Sequence, residues 1–273
     1  MNLANVKLVV TDMDGTLLNR NHEISPLFNA LFEELLKHDI TFVAASGRPF
    51  YGMANKLHHI MDDVIIVAEN GGLVVKDNDT LLSNPIKPQH LKELIELILG
   101  IENTHPVFCT RHKAYVMSTS QSLLYLLSEY YEHYEVIDST DSIKDDVYKI
   151  ALYHEESSER YIYPYVKHLE TKFKVKLSAT HWVDISENEA NKGTAVQLLQ
   201  EKLNISKNET LAFGDYNNDL EMLENAYFSY AMANAHPLVK HTARFETKSN
   251  NEFGVEVILQ KLLEDKRKLI SNI

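Results

Sequence analysis

A chain of 273 residues is too long for one minimal domain and close to the length of two, at roughly 150 residues each. Apolar residues make up 44% and charged residues 24%, which argues against long disorder and supplies a sizeable core. The 27 lysines and arginines face 39 aspartates and glutamates, for a net charge of −12. A surface that negative repels phosphate backbones and anionic lipid, so neither nucleic acid nor a membrane is the expected partner.

In chain order, Lys7-Leu8-Val9-Val10-Thr11 is an unbroken, β-branched apolar run and predicts a buried strand. Ser25-Pro26 supplies an N-cap and a proline at the first helical position. Leu27, Phe28, Leu31, Phe32, Leu35 and Leu36 then form a helical stripe. Strands are predicted at 40–45 and 64–68, with a helix near 50–60 between them. Continuous apolar strands alternating with helices read as a parallel sheet covered on both faces.

From about Pro85 to Ser186 the character changes. The pattern there predicts a helix at 88–99, strands at 106–110 and 113–118, a helix at 120–133, a strand at 147–153, a helix at 158–172, and strands at 173–178 and 181–186. Short turns such as Arg111-His112 predict antiparallel pairing. The earlier grammar then returns: helix near 193–203, strand 210–213, helix near 218–225, strand 228–231 and a last helix near 254–265. The expected architecture is α/β. A Rossmann-like, doubly wound parallel-sheet core, residues 1–84 and 188–273, carries an inserted α+β cap domain, residues 85–187.

The single cysteine, Cys109, has no partner for an internal disulfide and no companions for a thiolate metal cage. No apolar run approaches the roughly 20 residues of a membrane span, and the first residues lack the features of a signal peptide. A cytoplasmic location is the expectation.

The strands of the outer halves run into small polar clusters: Asp12-Met13-Asp14-Gly15-Thr16, Ser46-Gly47-Arg48, Glu69-Asn70-Gly71 and Gly214-Asp215-Tyr216-Asn217-Asn218-Asp219. In open α/β sheets ligands bind outside the carboxyl ends of the strands, so the clusters converge on one site. An EF-hand does not fit. With Gly15 at the invariant glycine of the loop, Val10 falls on the first ligand position and Asn21 where a bidentate glutamate is required. Asp12, Asp14, Asp215 and Asp219 at one edge repel one another without a cation. An all-oxygen set points to a hard divalent ion, and magnesium suits a site that shares its ligands with water and substrate phosphate. Ser46, the amides beside it and Lys192 offer donors to a phosphate, and the helix opened by Lys192-Gly193-Thr194 adds a favourable potential for an anion. A carboxylate nucleophile with a second carboxylate as acid and base gives phosphoryl transfer through an aspartyl-phosphate.

In that order, Asp12-Met13-Asp14-Gly15-Thr16, Ser46-Gly47, Lys192 and Gly214-Asp215-Tyr216-Asn217-Asn218-Asp219 resemble the four motifs of haloacid dehalogenase-like phosphatases. The Glu69-Asn70-Gly71 turn and the late insertion resemble the Cof-type branch with a large α/β cap, and Val10–Thr16, Val67–Gly71 and Ala231–Ala235 look like its bacterial sugar phosphatases. The resemblance covers essentially the whole chain. It implies Asp12 as nucleophile and Mg2+ ligand, and Asp14 as general acid/base that also offers its carbonyl to the metal. It further implies Asp215 as a ligand supported by Asp219, and Ser46, Gly47, Lys192 and Asn218 at the phosphate. The substrate class implied is a small phosphorylated metabolite, a sugar phosphate first, with flavin or pyridoxal phosphates as further members. A phosphosugar mutase and a non-catalytic phosphometabolite sensor are the alternative readings.

Two positions depart from the family pattern. Tyr216 stands where a small residue is common, and Arg48 either binds substrate or pairs with a carboxylate. The 13 histidines show no HExxH or i, i+4 metal spacing and read as surface or hydrogen-bonded groups. Tyr125, Tyr130, Tyr131 and Tyr134 read as packing residues; Trp182 and Asp184 are the place to look for substrate contacts, with packing inside the cap an equal reading of Trp182.

Overall fold

A computed structural model describes residues 2–77, 79–118, 120–131 and 133–271. The first five strands are β1 (Leu8–Asp12), β2 (Thr41–Ala45), β3 (Val64–Ala68), β4 (Leu73–Lys76) and β5 (Asp79–Ser83). The next six are β6 (His105–Thr110), β7 (Ala114–Val116), β8 (Tyr134–Val136), β9 (Val147–Tyr153), β10 (Phe173–Ala179) and β11 (Trp182–Glu187). The last three are β12 (Thr210–Gly214), β13 (Phe228–Ala231) and β14 (Phe245–Glu246).

Two sheets result. The first has the order β14-β13-β12-β1-β2-β3-β4-β5 and the second β10-β11-β9-β6-β7-β8. The first sheet is parallel from β14 to β3, as the continuous apolar strands require, and its two final strands are antiparallel. Helix 26–37 begins where the sequence places it. The Ser25 hydroxyl accepts from the Phe28 amide at 3.1 Å, and Phe28, Leu31, Phe32 and Leu35 are buried. Phe28 and Phe32 pack on Phe42 of β2 at ring distances of 5.2 and 5.5 Å, so the amphipathic stripe covers one face of the sheet.

The second sheet is antiparallel except for the β7–β8 pair. Alternation along β9 feeds a core on each face: Ile150 and Leu152 go to one cluster, Ala151 and Tyr153 to the other. The second cluster also contains Tyr51, from the helix that follows β2.

Several features differ from the sequence reading, among them strand β8, where no strand is predicted, and the helix expected near 50–60, which ends at Lys56. The hairpin β4–β5 extends the first sheet where no strand is predicted. Glu69 and Asn70 have φ of 49° and 55°, and with Gly71 at 98° they turn the chain back along β3. A Cβ on Gly71 would lie 2.2 Å from the Asn191 carbonyl oxygen, so glycine is required there. The helix predicted at 158–172 is broken into Ser158–Tyr161, Tyr163–Val166 and a 3-10 stretch at Lys167–Thr171. Pro164 has no N–H to continue the ladder, so it starts a new turn instead. Short elements at Pro237–Thr242 and Phe245–Glu246 complete the C-terminal part.

Candidate active site

Strands β12, β1, β2 and β3 are consecutive parallel neighbours. Their carboxyl ends therefore deliver Asp215, Asp12, Ser46 and Glu69 to one edge of the sheet, beside the central strand β1.

Asp12, at the tip of β1, is 5% exposed, and Lys192 and Asp219 are fully buried. Asn191 caps the helix that opens with Lys192 by accepting from the Thr194 amide, which sets the lysine at its first turn. The Lys192 ammonium donates to Asp12 Oδ1 and, at 2.7 Å, to Asp219 Oδ1. Asp219 Oδ2 accepts from the amides of Asp215 and Tyr216 at 2.9 and 3.1 Å, which closes the motif loop on itself. Thr16 donates to Asp215 Oδ1 at 3.0 Å. Gly15, at φ 82°, lets the first loop approach so closely that a Cβ there would fall 2.4 Å from Asp215 Oδ2.

The electrostatics follow from this crowding. Burial raises the Asp12 carboxyl well above the usual carboxylate range, opposed by Lys192 and reinforced by Asp219 and Asp215. Burial, with the charge of Asp219, pushes Asp215 up to about 6. Burial works against the Lys192 ammonium, and the two carboxylates it touches outweigh it and hold the charge.

Asp14 lies apart from this buried group. Its oxygens take Arg48 Nε and Nη2 at 2.6 and 2.7 Å, a bidentate pair, and His22 Nδ1 approaches at 3.1 Å. Partial burial would raise its pKa; the hydrogen bond and charge of Arg48, with help from His22, win and lower it. Of the two readings of Arg48, the structure shows the carboxylate pair. Ser46 Oγ accepts from the Arg48 amide at 3.1 Å, and Asn218 donates to Asn70 Oδ1 at 3.0 Å.

These groups open on a cavity of about 920 Å3 that Asp12, Asp14, Ser46, Gly47, Arg48, Asp215 and Asn218 line from below. Strands β10 and β11 and the turn between them form its other wall with Val175, Lys176, Leu177, His181, Trp182 and Asp184. Asp12, Asp14, Ser46, Gly47, Arg48, Asp215 and Asn218 thus reach one place, with Lys192 and Asp219 behind the lining and Glu69 outside it. Trp182 and Asp184 reach it from above. Tyr131 is buried and also lines the cavity, while Tyr125 is exposed and the side chain of Tyr130 lies outside the described residues.

A family model for haloacid dehalogenase-like hydrolases matches residues 9–259. The chain belongs to that family. It is 28% identical to the 5-amino-6-(5-phospho-D-ribitylamino)uracil phosphatase YbjI of Escherichia coli, over 95% of this chain and 97% of that one. It is 31% identical to YxeH of Bacillus subtilis, which carries a provisional phosphatase name, over 94% and 98% of the two chains. A solved structure from Streptococcus mutans, 28% identical, superposes with a TM-score of 0.86 over 95% of this chain and 99% of that one. With the family and its phosphatase relatives, the chain stands among the phosphoric monoester hydrolases.

The acidic group of this haloacid dehalogenase-like hydrolase suits a hard cation. Asp12, Asp215 and Asp219 each bring a carboxylate oxygen within 4.8 Å of the others. Asp12 Oδ2 is buried with no hydrogen-bond partner among the described residues, and a coordinating cation would satisfy it. Asp219 differs, since both its oxygens are already occupied by Lys192 and two amides.

Lys149, on β9, also lines the cavity, and the sequence reading passed over it. The available signal was a lysine inside the apolar run Val147–Tyr153, which is buried throughout. Thr16 stands in the first motif without an assigned role, and His22 carried no signal; the folded loop brings them to Asp215 and Asp14. Among the described residues, no helix is long and apolar enough to cross a membrane.

Proposed function

We propose that the chain is a magnesium-dependent phosphatase of small phosphorylated metabolites, sugar phosphates first, acting through an aspartyl-phosphate on Asp12. The observation that carries this is the state of Asp12: Lys192 clamps one carboxylate oxygen, and the other is buried and unsatisfied at the floor of the cavity, beside Asp215. Residues 1–84 and 188–273 form the catalytic core in this reading, and residues 85–187 the cap that covers it.

Asp12 and Asp215 would hold Mg2+, with the Asp14 carbonyl, and Asp219 would keep Asp215 and Lys192 in place. When bound, the ion neutralises the carboxylates and the phosphate charge, lowering the repulsion between nucleophile and substrate. Ser46, the Gly47 amide and Asn218 are placed to take the phosphoryl oxygens, and Lys192 fixes the rotamer of the attacking carboxylate. Asp12 attacks phosphorus and the alkoxide leaves with a proton from Asp14; the ionised Asp14 then takes a proton from the water that cleaves the acyl phosphate. The Arg48 pair keeps Asp14 ionised, which suits the second half-reaction. The first half requires that pair to loosen as substrate enters. On the cap side, Asp184 offers an acceptor and Trp182 a flat apolar surface, a combination that suits the hydroxyls and ring faces of a sugar.

The test is phosphate release from a panel of sugar, nucleotide, flavin and pyridoxal phosphates, with magnesium and with chelator. Magnesium-dependent release that favours sugar phosphates is expected. An isomeric hexose phosphate in place of free phosphate would mark a mutase, and no product of either kind would leave a sensor.

A further inference from the structure

A lysine at the centre of a fully buried strand is costly unless its charge is paired. Residues 147–153 of β9 are all buried, and by alternation Lys149 shares a face with Ala151 and Tyr153. From there its ammonium leaves the cap. It donates to the Gly47 carbonyl at 2.9 Å, lies 3.0 Å from Glu69 Oε2, and stands 3.7 Å from Asp184 Oδ2. Lys149 and Glu69 are 5% and 1% exposed.

The position of the Gly47 carbonyl gives this contact its meaning. The Asn70 amide donates to the Ser46 carbonyl at 2.9 Å, and the Glu69 amide donates to the Arg48 carbonyl at 3.0 Å. Three consecutive carbonyls, those of Ser46, Gly47 and Arg48, are therefore tied down. The turn after β3 holds the outer two, and the cap holds the middle one. Because each peptide is planar, fixing the Gly47 carbonyl fixes the Arg48 amide joined to it, which donates to Ser46 Oγ at 3.1 Å and so sets that hydroxyl, while the Ser46 carbonyl held by Asn70 sets the Gly47 amide. Glu69 and Asn70 hold left-handed backbone angles to make their two contacts, so the loop is specified at some conformational cost.

We propose that Lys149 is a positioning residue through which the cap completes the phosphate-binding loop: its ammonium holds the Gly47 carbonyl, and the loop takes its anion-binding shape only with the cap docked. The inference rests on reading Ser46 and Gly47 as phosphate ligands. Burial disfavours the Lys149 ammonium, and Asp184 and Glu69 more than compensate, so the group stays charged. Asp184 lines the cavity beside it, so one cation links the loop that holds the phosphate to the wall that faces the leaving group.

The experiment uses the full chain with magnesium, titrated with orthovanadate by calorimetry and assayed with p-nitrophenyl phosphate. Lys149→Met is compared with Lys149→Met/Glu69→Gln, in which the ion pair is removed together and the stability lost with one partner returns. Vanadate affinity and kcat/KM are expected to fall about tenfold to a hundredfold in both variants, the worth of a lost charge-assisted hydrogen bond. If the double variant regains both its melting temperature and wild-type vanadate affinity, Lys149 is an ion-pair residue only and the proposal fails. If the unaltered chain binds vanadate but releases no phosphate from any ester, the phosphatase reading fails, and the affinity ratio still decides the role of Lys149. If the unaltered chain binds no vanadate, the loop is no anion site and both readings fall.

Discussion

The molecule uses one device twice: a buried lysine between two carboxylates. At the edge of the first sheet, Lys192 lies between Asp12 and Asp219; where the two sheets meet, Lys149 of the second lies between Glu69 and Asp184. The difference lies in what each lysine reaches besides its carboxylates. Lys192 touches Asp12, the nucleophile of the proposed mechanism, and both of its partners belong to the same sheet edge. Lys149 touches a backbone carbonyl, and its partners come from the two sides of the cavity. The first arrangement sets the reactive group. The second makes the geometry of one half of the site depend on the other.

The largest expected effect breaks the core arrangement at its centre. Asp12→Asn should cost at least about a thousandfold in turnover, with an unchanged circular dichroism spectrum. Near-normal activity would end the aspartyl-phosphate mechanism. Lys192→Met should remove activity and also stability, by about 3–5 kcal/mol in urea unfolding, because two buried carboxylates lose their counter-charge.

Magnesium and pH sharpen the comparison, since Asp12 and Asp215 crowd together beside Lys192 and Asp12 Oδ2 is buried without a hydrogen-bond partner among the described residues. The folded pKa of Asp215, about 6, lies above its unfolded value of about 3.9. The native state therefore holds that proton more tightly, and this contribution to stability is lost as pH rises from about 4 through about 6. Burial acts on Asp12 in the same direction. The rise in melting temperature on adding magnesium should be larger at pH 7.5 than at pH 5, and Asp215→Asn should abolish most of the difference.

Arg48→Gln should shift the basic limb of the kcat/KM profile to higher pH. Asp14 must be protonated to release the alcohol, and without the partner that keeps its carboxyl low it holds that proton to higher pH. The smallest effect belongs to Tyr216. Its ring is 53% exposed and sits edge-on to His236 at 5.9 Å, at the rim of the cavity. Tyr216→Ala should change kcat/KM by no more than about threefold.

Much of the first sheet was legible because its strands are continuous apolar runs whose last residue is followed at once by a polar cluster. The run at 64–68 and the cap at Ser25 are examples where pattern and structure coincide. The hairpin β4–β5 was missed because the left-handed turn before it resembles any strand-to-loop exit. The broken helix at 158–172 was missed because its apolar period outweighed Pro164. The sheet-edge residues were legible as a set, since motif order and strand ends agree. The pairings among them were not.

By itself, the sequence determined most of the buried parallel strands and which carboxylates would stand together at their ends. Those are consequences of local pattern and of charge. Only the tertiary structure decided that Arg48 would take Asp14, that Asp219 would spend its oxygens on Lys192 and two amides, and that a lysine from the second sheet would hold the Gly47 carbonyl. Each of those contacts joins residues far apart in the chain or on different strands, and their partners are chosen by close approach, which no one-dimensional pattern records.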